Sequence, residues 1–165
     1  MSQATRFRTG IGWDVHRLVE DRPLILGGVE IPWERGLAGH SDADVLLHAI
    51  ADAMLGAAGL GDIGVHFPPD DPAWEDADSV DLLRRVGGRV NDAGWRVENV
   101  DATLLAEAPK IRPHVDAMRR RIAEALDVRV DVVSVKATTA EGLGYVGREE
   151  GMAAMAACAL RSEAE

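Results

Sequence analysis

The apolar residues of this 165-residue chain repeat with two different periods, and the points where one gives way to the other constrain its architecture. Alternation from Arg6 to Val15 predicts a first strand, and Pro23 to Pro32 predicts a hairpin turning at Gly27-Gly28. The period then changes. Leu46, Leu47, Ile50, Met54 and Leu55 recur at helical spacing up to Gly56, and Ser41 followed by Asp44 forms a capping-box-like opening to that helix. Four glycines from Gly56 to Gly64, then Pro68, Pro69 and Pro72, predict a long irregular loop of the kind that tends to carry function. Beyond it the pattern predicts a helix over Ser79 to Ala93, a strand over Val97 to Leu105, a helix over Arg112 to Leu126 and a strand over Val130 to Ala137. The tail from Met152 to Leu160 is open: alanine propensity favours helix, pairing with the sheet favours strand. The order predicts an α+β fold, an α-β sandwich in which helices cover one mixed sheet.

The length suits one core, so we expect a single domain over residues 1–165, with residues 1–5 and 162–165 as disordered ends. Met1 to Thr9 is polar and basic, unlike an export signal, and no run approaches the roughly 20 apolar residues of a membrane span. The expectation is a cytoplasmic protein with no membrane partner. A net charge of −10 argues against a general nucleic-acid binder, which needs surplus Lys and Arg. The single cysteine, Cys158, sits in an Ala-rich apolar segment and is read as packing. Any metal must therefore rely on His and carboxylate ligands.

Asp14 and His16 stand two apart in a strand-like segment, which places both side chains on one face. His48 lies in a polar helical stripe with Asp44 and Asp52 at four-residue spacing, and either aspartate could hold its second ring nitrogen. One carboxylate and two imidazoles with an open fourth position suit catalytic zinc. The same residues also have an ordinary reading, as a turn aspartate, a strand-end histidine and an exposed helical histidine. His66 and His114 are read as structural or exposed.

His40-Ser41-Asp42 precedes a helix, where free amides favour an anion, although plain capping by Ser41 or Asp42 explains it equally well. Lys136-Ala137-Thr138-Thr139 ends a strand with a cation and two hydroxyls, followed by Glu141; β-propensity alone also accounts for threonines there. Arg148 follows Gly147 and could reach a phosphate with two donors, or stand solvated.

Taken in order, Gly12-Trp13-Asp14-Val15-His16, Gly39-His40-Ser41-Asp42-Ala43-Asp44-Val45 through His48, Leu60-Gly61-Asp62-Ile63-Gly64, Phe67-Pro68, Ala108-Pro109-Lys110 and Lys136-Ala137-Thr138-Thr139 closely resemble the 2-C-methyl-D-erythritol 2,4-cyclodiphosphate synthase family. The resemblance runs from about Arg8 to the last strand and favours a strand for the tail. It implies a largely antiparallel mixed sheet, a homotrimer with active sites between subunits, and conversion of 4-diphosphocytidyl-2-C-methyl-D-erythritol 2-phosphate to the cyclic diphosphate and CMP in isoprenoid precursor synthesis.

By position, the resemblance implies zinc or manganese on Asp14, His16 and His48, and magnesium or manganese on Glu141, bridging the diphosphate. It makes His40 and Thr139 the catalytic contacts to the reacting phosphates and adds Ser41 beside them. It assigns the ribose to Asp62 and Gly64, the cytosine loop to Ala106 through Arg112 with Pro109 and Lys110, and a further substrate contact to Thr138. Trp13, Tyr145 and Arg148 match positions near a trimer-axis cavity where some relatives hold an isoprenoid diphosphate, and Tyr145 and Arg148 also count among the substrate contacts. The chain departs from the family pattern at Pro69 and Met155, where relatives carry acidic residues. Two rival readings use the same residues: a zinc-dependent nucleotide-diphosphate hydrolase, whose product is linear, and a non-catalytic trimer that binds an isoprenoid diphosphate and releases no CMP.

Overall fold

The computed structural model describes residues 4–74 and 76–162. Among the described residues, seven strands and five α-helices follow in the order β1 (Phe7–Glu20), β2 (Leu24–Leu26), β3 (Val29–Ile31), β4 (Arg35–Leu37), α1 (Val45–Ala58), α2 (Ile63–His66), α3 (Ser79–Asp92), β5 (Trp95–Leu105), α4 (Val115–Leu126), β6 (Val133–Thr138), α5 (Gly144–Gly147) and β7 (Gly151–Ser162). The main sheet runs β4-β1-β7-β5-β6. Every pairing is antiparallel except β5 with β6, which makes the sheet mixed and mostly antiparallel as expected. β2 and β3 form the separate hairpin, with Gly27 and Gly28 both at positive φ, the conformation that a two-residue turn of this kind requires.

The Ala-rich tail is a strand because it has a neighbour on each side: β7 pairs with β1 along Phe7 to Arg17 and with β5 along Trp95 to Leu105. Backbone pairing over eleven residues on one edge and ten on the other outweighs the helical preference of alanine. The small side chains are used elsewhere, since Ala154 and Ala156 are buried in the core.

One helix sets the position of everything else. Residues of α1 are buried on nearly all sides, and the helix packs across β1 and β7 on one side and against α3 on the other. Its approach to β1 is close: a Cβ on Gly12 would lie 1.9 Å from the Ala49 carbonyl oxygen, and one on Gly10 would lie 2.1 Å from that of Ala53. Only glycine admits the helix at that distance. Asp14 and His16 continue the same face of β1 past the two glycines, and are thereby aimed at the first turns of α1.

Several boundaries differ from the sequence reading. The helix starts at Val45 with Asp44 as its cap, because the Asp44 carboxylate accepts the Leu47 N–H at 3.1 Å; the Ser41 hydroxyl is taken by the Ala43 N–H in the preceding loop. The long loop contains α2 and a single 3-10 turn at Pro72–Trp74. Arg112–His114 and Val130–Val132 are 3-10 turns leading into α4 and β6. Ser162, expected in a disordered end, closes β7, and its hydroxyl accepts the Arg6 N–H at 3.0 Å. Residues 1–3 and 163–165 of the expected ends lie outside the described residues. No helix among the described residues is long and apolar enough to cross a membrane.

Candidate metal and nucleotide site

Asp14, His16 and His48 meet as the sequence spacing predicts. Asp14 Oδ2 lies 2.9 Å from His16 Nε2 and 3.1 Å from His48 Nδ1, and the two ring nitrogens are 3.3 Å apart. Metal bonds of about 2.0–2.1 Å at tetrahedral angles set ligand atoms about 3.3 Å apart, so this triangle already has the right size. Among the described residues it is the one His/Cys/Asp/Glu group with that geometry.

The second nitrogen of each ring is occupied. His16 Nδ1 donates to the Ala38 carbonyl at 2.6 Å, and His48 Nε2 faces the Ser79 hydroxyl at 3.0 Å. The donor set therefore fits a divalent ion in number, chemistry and orientation. Burial alone would raise the Asp14 carboxyl, but hydrogen bonds and charge from His16 and His48 outweigh it and hold the group down at about 2. Burial likewise opposes charge on His16, yet the hydrogen bond it donates to Asp14 and the charge of that carboxylate prevail and move its pKa upward.

The expected partners of His48, Asp44 and Asp52, serve other groups. Asp44 is buried at the start of α1 and accepts the N–H groups of Gly27 (3.0 Å), Gly28 (2.7 Å) and Leu47, tying the hairpin turn to the helix. Burial pushes this carboxyl up to about 6 against those donors. Asp52 accepts the Ile63 N–H at 2.7 Å and so anchors α2. The residue sequence reasoning missed is Ser79. Its only signal was its place at the start of a helical pattern.

A cavity of about 240 Å³ opens beside the triangle and is lined by His16, His40, Ser41, His48, Gly64 and Pro69, among others. The loop carrying His40 and Ser41 is clasped by Arg22, which donates to the Gly39 and Ser41 carbonyls at 3.0 and 2.7 Å. Asp62 is exposed and caps α2 through the Val65 N–H. A second cavity of about 480 Å³ lies between the 106–113 loop and the end of β6, lined by Ala106, Pro109, Lys110, Arg112, Thr138 and Thr139. The two cavities share no lining residue. Fold and sequence thus bring the predicted residues together as two separate groups.

The segment after β6 is largely exposed, and while Arg35 ties Glu149 to β4 at 2.6 Å, the candidate residues there have short-range partners. Thr139 Oγ1 donates to Glu141 Oε1 at 3.3 Å, and Arg148 is paired with Glu150 at 2.8 Å. Lys136 binds Asp101 at 2.6 Å on the sheet surface instead of facing either cavity's interior. Tyr145 is exposed on α5. His66 donates to the Leu60 carbonyl at 2.8 Å and is structural, as read, and His114 is half-buried at the N-terminal end of α4. Cys158 is buried, which raises its thiol to about 12 and leaves it inert.

A mostly antiparallel sheet presenting one carboxylate and one imidazole, met by a second imidazole from the helix across it, defines an α+β protein with a site fitted to a divalent metal. More particularly, the chain belongs to the YgbB family, whose model matches residues 7–161. It is 68% identical over 155 residues to a 2-C-methyl-D-erythritol 2,4-cyclodiphosphate synthase of Salinibacter ruber, covering 94% of this chain and 99% of that one. Among solved structures it resembles the bifunctional IspDF of Campylobacter jejuni (TM-score 0.95, 42% identity, 98% of this chain and 44% of that one). It also resembles the IspF of Plasmodium falciparum in its CDP complex, with TM-score 0.84, 30% identity, and 98% and 99% of the two chains covered.

Proposed function

We propose that this chain converts 4-diphosphocytidyl-2-C-methyl-D-erythritol 2-phosphate into 2-C-methyl-D-erythritol 2,4-cyclodiphosphate and CMP, acting as one domain over residues 1–165. The observation that carries this reading is the 68% identity to the Salinibacter ruber synthase over 99% of its length. The substrate's own 2-phosphate attacks the β-phosphorus as the bond to CMP breaks, so nucleophile and leaving group belong to one molecule. The protein's task is positioning and neutralisation of charge.

Asp14, His16 and His48 hold a zinc or manganese ion, and Glu141 a magnesium or manganese ion. Bound there, these ions supply Lewis-acid stabilisation of the phosphate oxygens. His40 and Ser41 contact the reacting phosphate from the loop clasped by Arg22, and the Thr139 hydroxyl donates to it from the end of β6. Asp62 and Gly64 take the ribose. Ala106, Pro109, Lys110, Arg112 and Thr138 form the cytidine pocket, a reading supported by the CDP complex of the Plasmodium relative. Tyr145 and Arg148 complete the substrate contacts.

The assembly is a homotrimer with each active site shared between neighbours. Two features support it. The outer face of the sheet exposes Ile11, Trp13, Val15 and Met155, an apolar patch that a lone chain would leave in water. The metal cavity, at about 240 Å³, is too small for a nucleotide on its own, since ligand pockets commonly run from about 300 Å³ upward.

Phosphorus NMR on the purified protein with substrate, zinc and magnesium tests the reaction. The expected products are the cyclic diphosphate and CMP; a linear diphosphate or monophosphate would identify a hydrolase instead. Sedimentation should give three times 17.7 kDa, and Trp13→Asp should dissociate the assembly.

A further inference from the structure

Ser79 is 1% exposed at the start of α3, and its hydroxyl lines neither substrate cavity. That hydroxyl instead donates to Asp42 Oδ1, while the Ser79 backbone N–H donates to Asp42 Oδ2 at 3.0 Å. An ionised carboxylate has no proton to give. The serine proton is therefore committed to Asp42, and the serine oxygen turns a lone pair toward His48 Nε2 at 3.0 Å.

A neutral imidazole carries one N–H, so where it sits decides which nitrogen can bind a metal. Two acceptors compete for the proton of His48. Asp14 Oδ2, 3.1 Å from Nδ1, would draw it to the side facing the triangle and block the ligand lone pair. Ser79 draws it to Nε2, away from the triangle. Ser41 Oγ is a weaker second acceptor at 3.4 Å from Nε2 and is already engaged by the Ala43 N–H. His16 faces no such choice, because its Nδ1 meets a backbone carbonyl that can only accept.

We propose that Ser79 is a positioning residue of the metal centre: the chain Asp42–Ser79–His48 fixes His48 as its Nε2–H tautomer and presents Nδ1 to the ion. The inference rests on the metal reading above and is tested without substrate. Nitrogen-15 NMR of the metal-free protein at pH 8 should show the proton of His48 on Nε2. In Ser79→Ala it should move toward Nδ1, and the zinc Kd, measured by competition with a chromophoric chelator, should rise about 10- to 100-fold. Ser79→Thr, which keeps the hydroxyl, should hold both close to native.

A folded Ser79→Ala protein with the native tautomer and a zinc Kd within about twofold of native would overturn the proposal. If Ser79→Ala does not fold, the native and Ser79→Thr proteins decide: Nε2–H in both supports it, and Nδ1–H in either overturns it. His48→Ala serves as the reference. Were zinc affinity unchanged in that variant, the metal reading itself would fall and the inference with it, whereas a loss in His48→Ala without one in Ser79→Ala removes Ser79 alone.

Discussion

Around the first turns of α1, side chains are held by partners distant in sequence: His48 meets Asp14 across 34 residues and Ser79 across 31, and His16 meets Ala38 across 22. After β6 the pattern reverses. Thr139 meets Glu141 and Arg148 meets Glu150, each only two residues away, and all four side chains stand largely in solvent. Distant ties reach this segment elsewhere, from the Ala140 N–H to Glu107 at 3.1 Å, which links the two loops of the second cavity, and from Arg35 to Glu149 at 2.6 Å. Folding of a single chain therefore completes the metal half. On the reading proposed above, it leaves the nucleotide half a set of exposed donors whose geometry a ligand or a neighbouring chain would finish.

The contrast can be broken most severely at the metal. His48→Ala should lower kcat/KM for CMP release by about 10³-fold or more, since Lewis-acid stabilisation is worth several kcal/mol. Thr139→Ala should cost about 10²-fold, the range for losing one donor to a developing charge, with zinc stoichiometry and melting temperature unchanged. If Thr139→Ala released the zinc, the two halves would not be independent. Asp44→Ala strands three N–H groups, two of them from the hairpin turn, and should destabilise the fold by about 2–4 kcal/mol in urea titration.

The smallest effect is one of pH, and its sign differs between metal-free and metal-bound protein. In the metal-free chain both His16 and Asp44 have raised pKa values, Asp44 at about 6, so the folded state binds these protons more tightly than the unfolded one. The His16 contribution is fully present below its ordinary value and lost as pH rises through its folded one. Asp44 adds stability as pH falls through about 6. Asp14, lowered to about 2, changes nothing in that window. Metal-free protein should thus unfold at higher denaturant at pH 5 than at pH 8. Zinc affinity should move the opposite way, falling about tenfold per unit below the His16 pKa because the ion displaces a proton.

The metal half was legible where local period sufficed. Two-residue spacing put Asp14 and His16 on one face, and helical spacing put His48 within reach. The same spacing misassigned Asp44 and Asp52, because it shows what lies along a helix and not what is packed over it: the β2–β3 turn covers Asp44 and α2 covers Asp52. Ser79 read only as a helix start, since its role depends on α3 packing against α1. Strand β4 escaped notice because three residues carry no period, and it exists only by pairing with the extension of β1 beyond Val15. The family resemblance, by position, is what singled out Thr139, Glu141 and Arg148, whose local contacts alone would not distinguish them from solvated surface.

A mixture of two inactive variants tests the division of the site most directly. Subunits of His48→Ala and Thr139→Ala, mixed one to one and allowed to exchange, should regain activity in about one quarter of the sites, those taking their metal half from one parent and Thr139 from the other. Activity no higher than the sum of the two parents, with exchange confirmed by mass, would contradict a site built between chains.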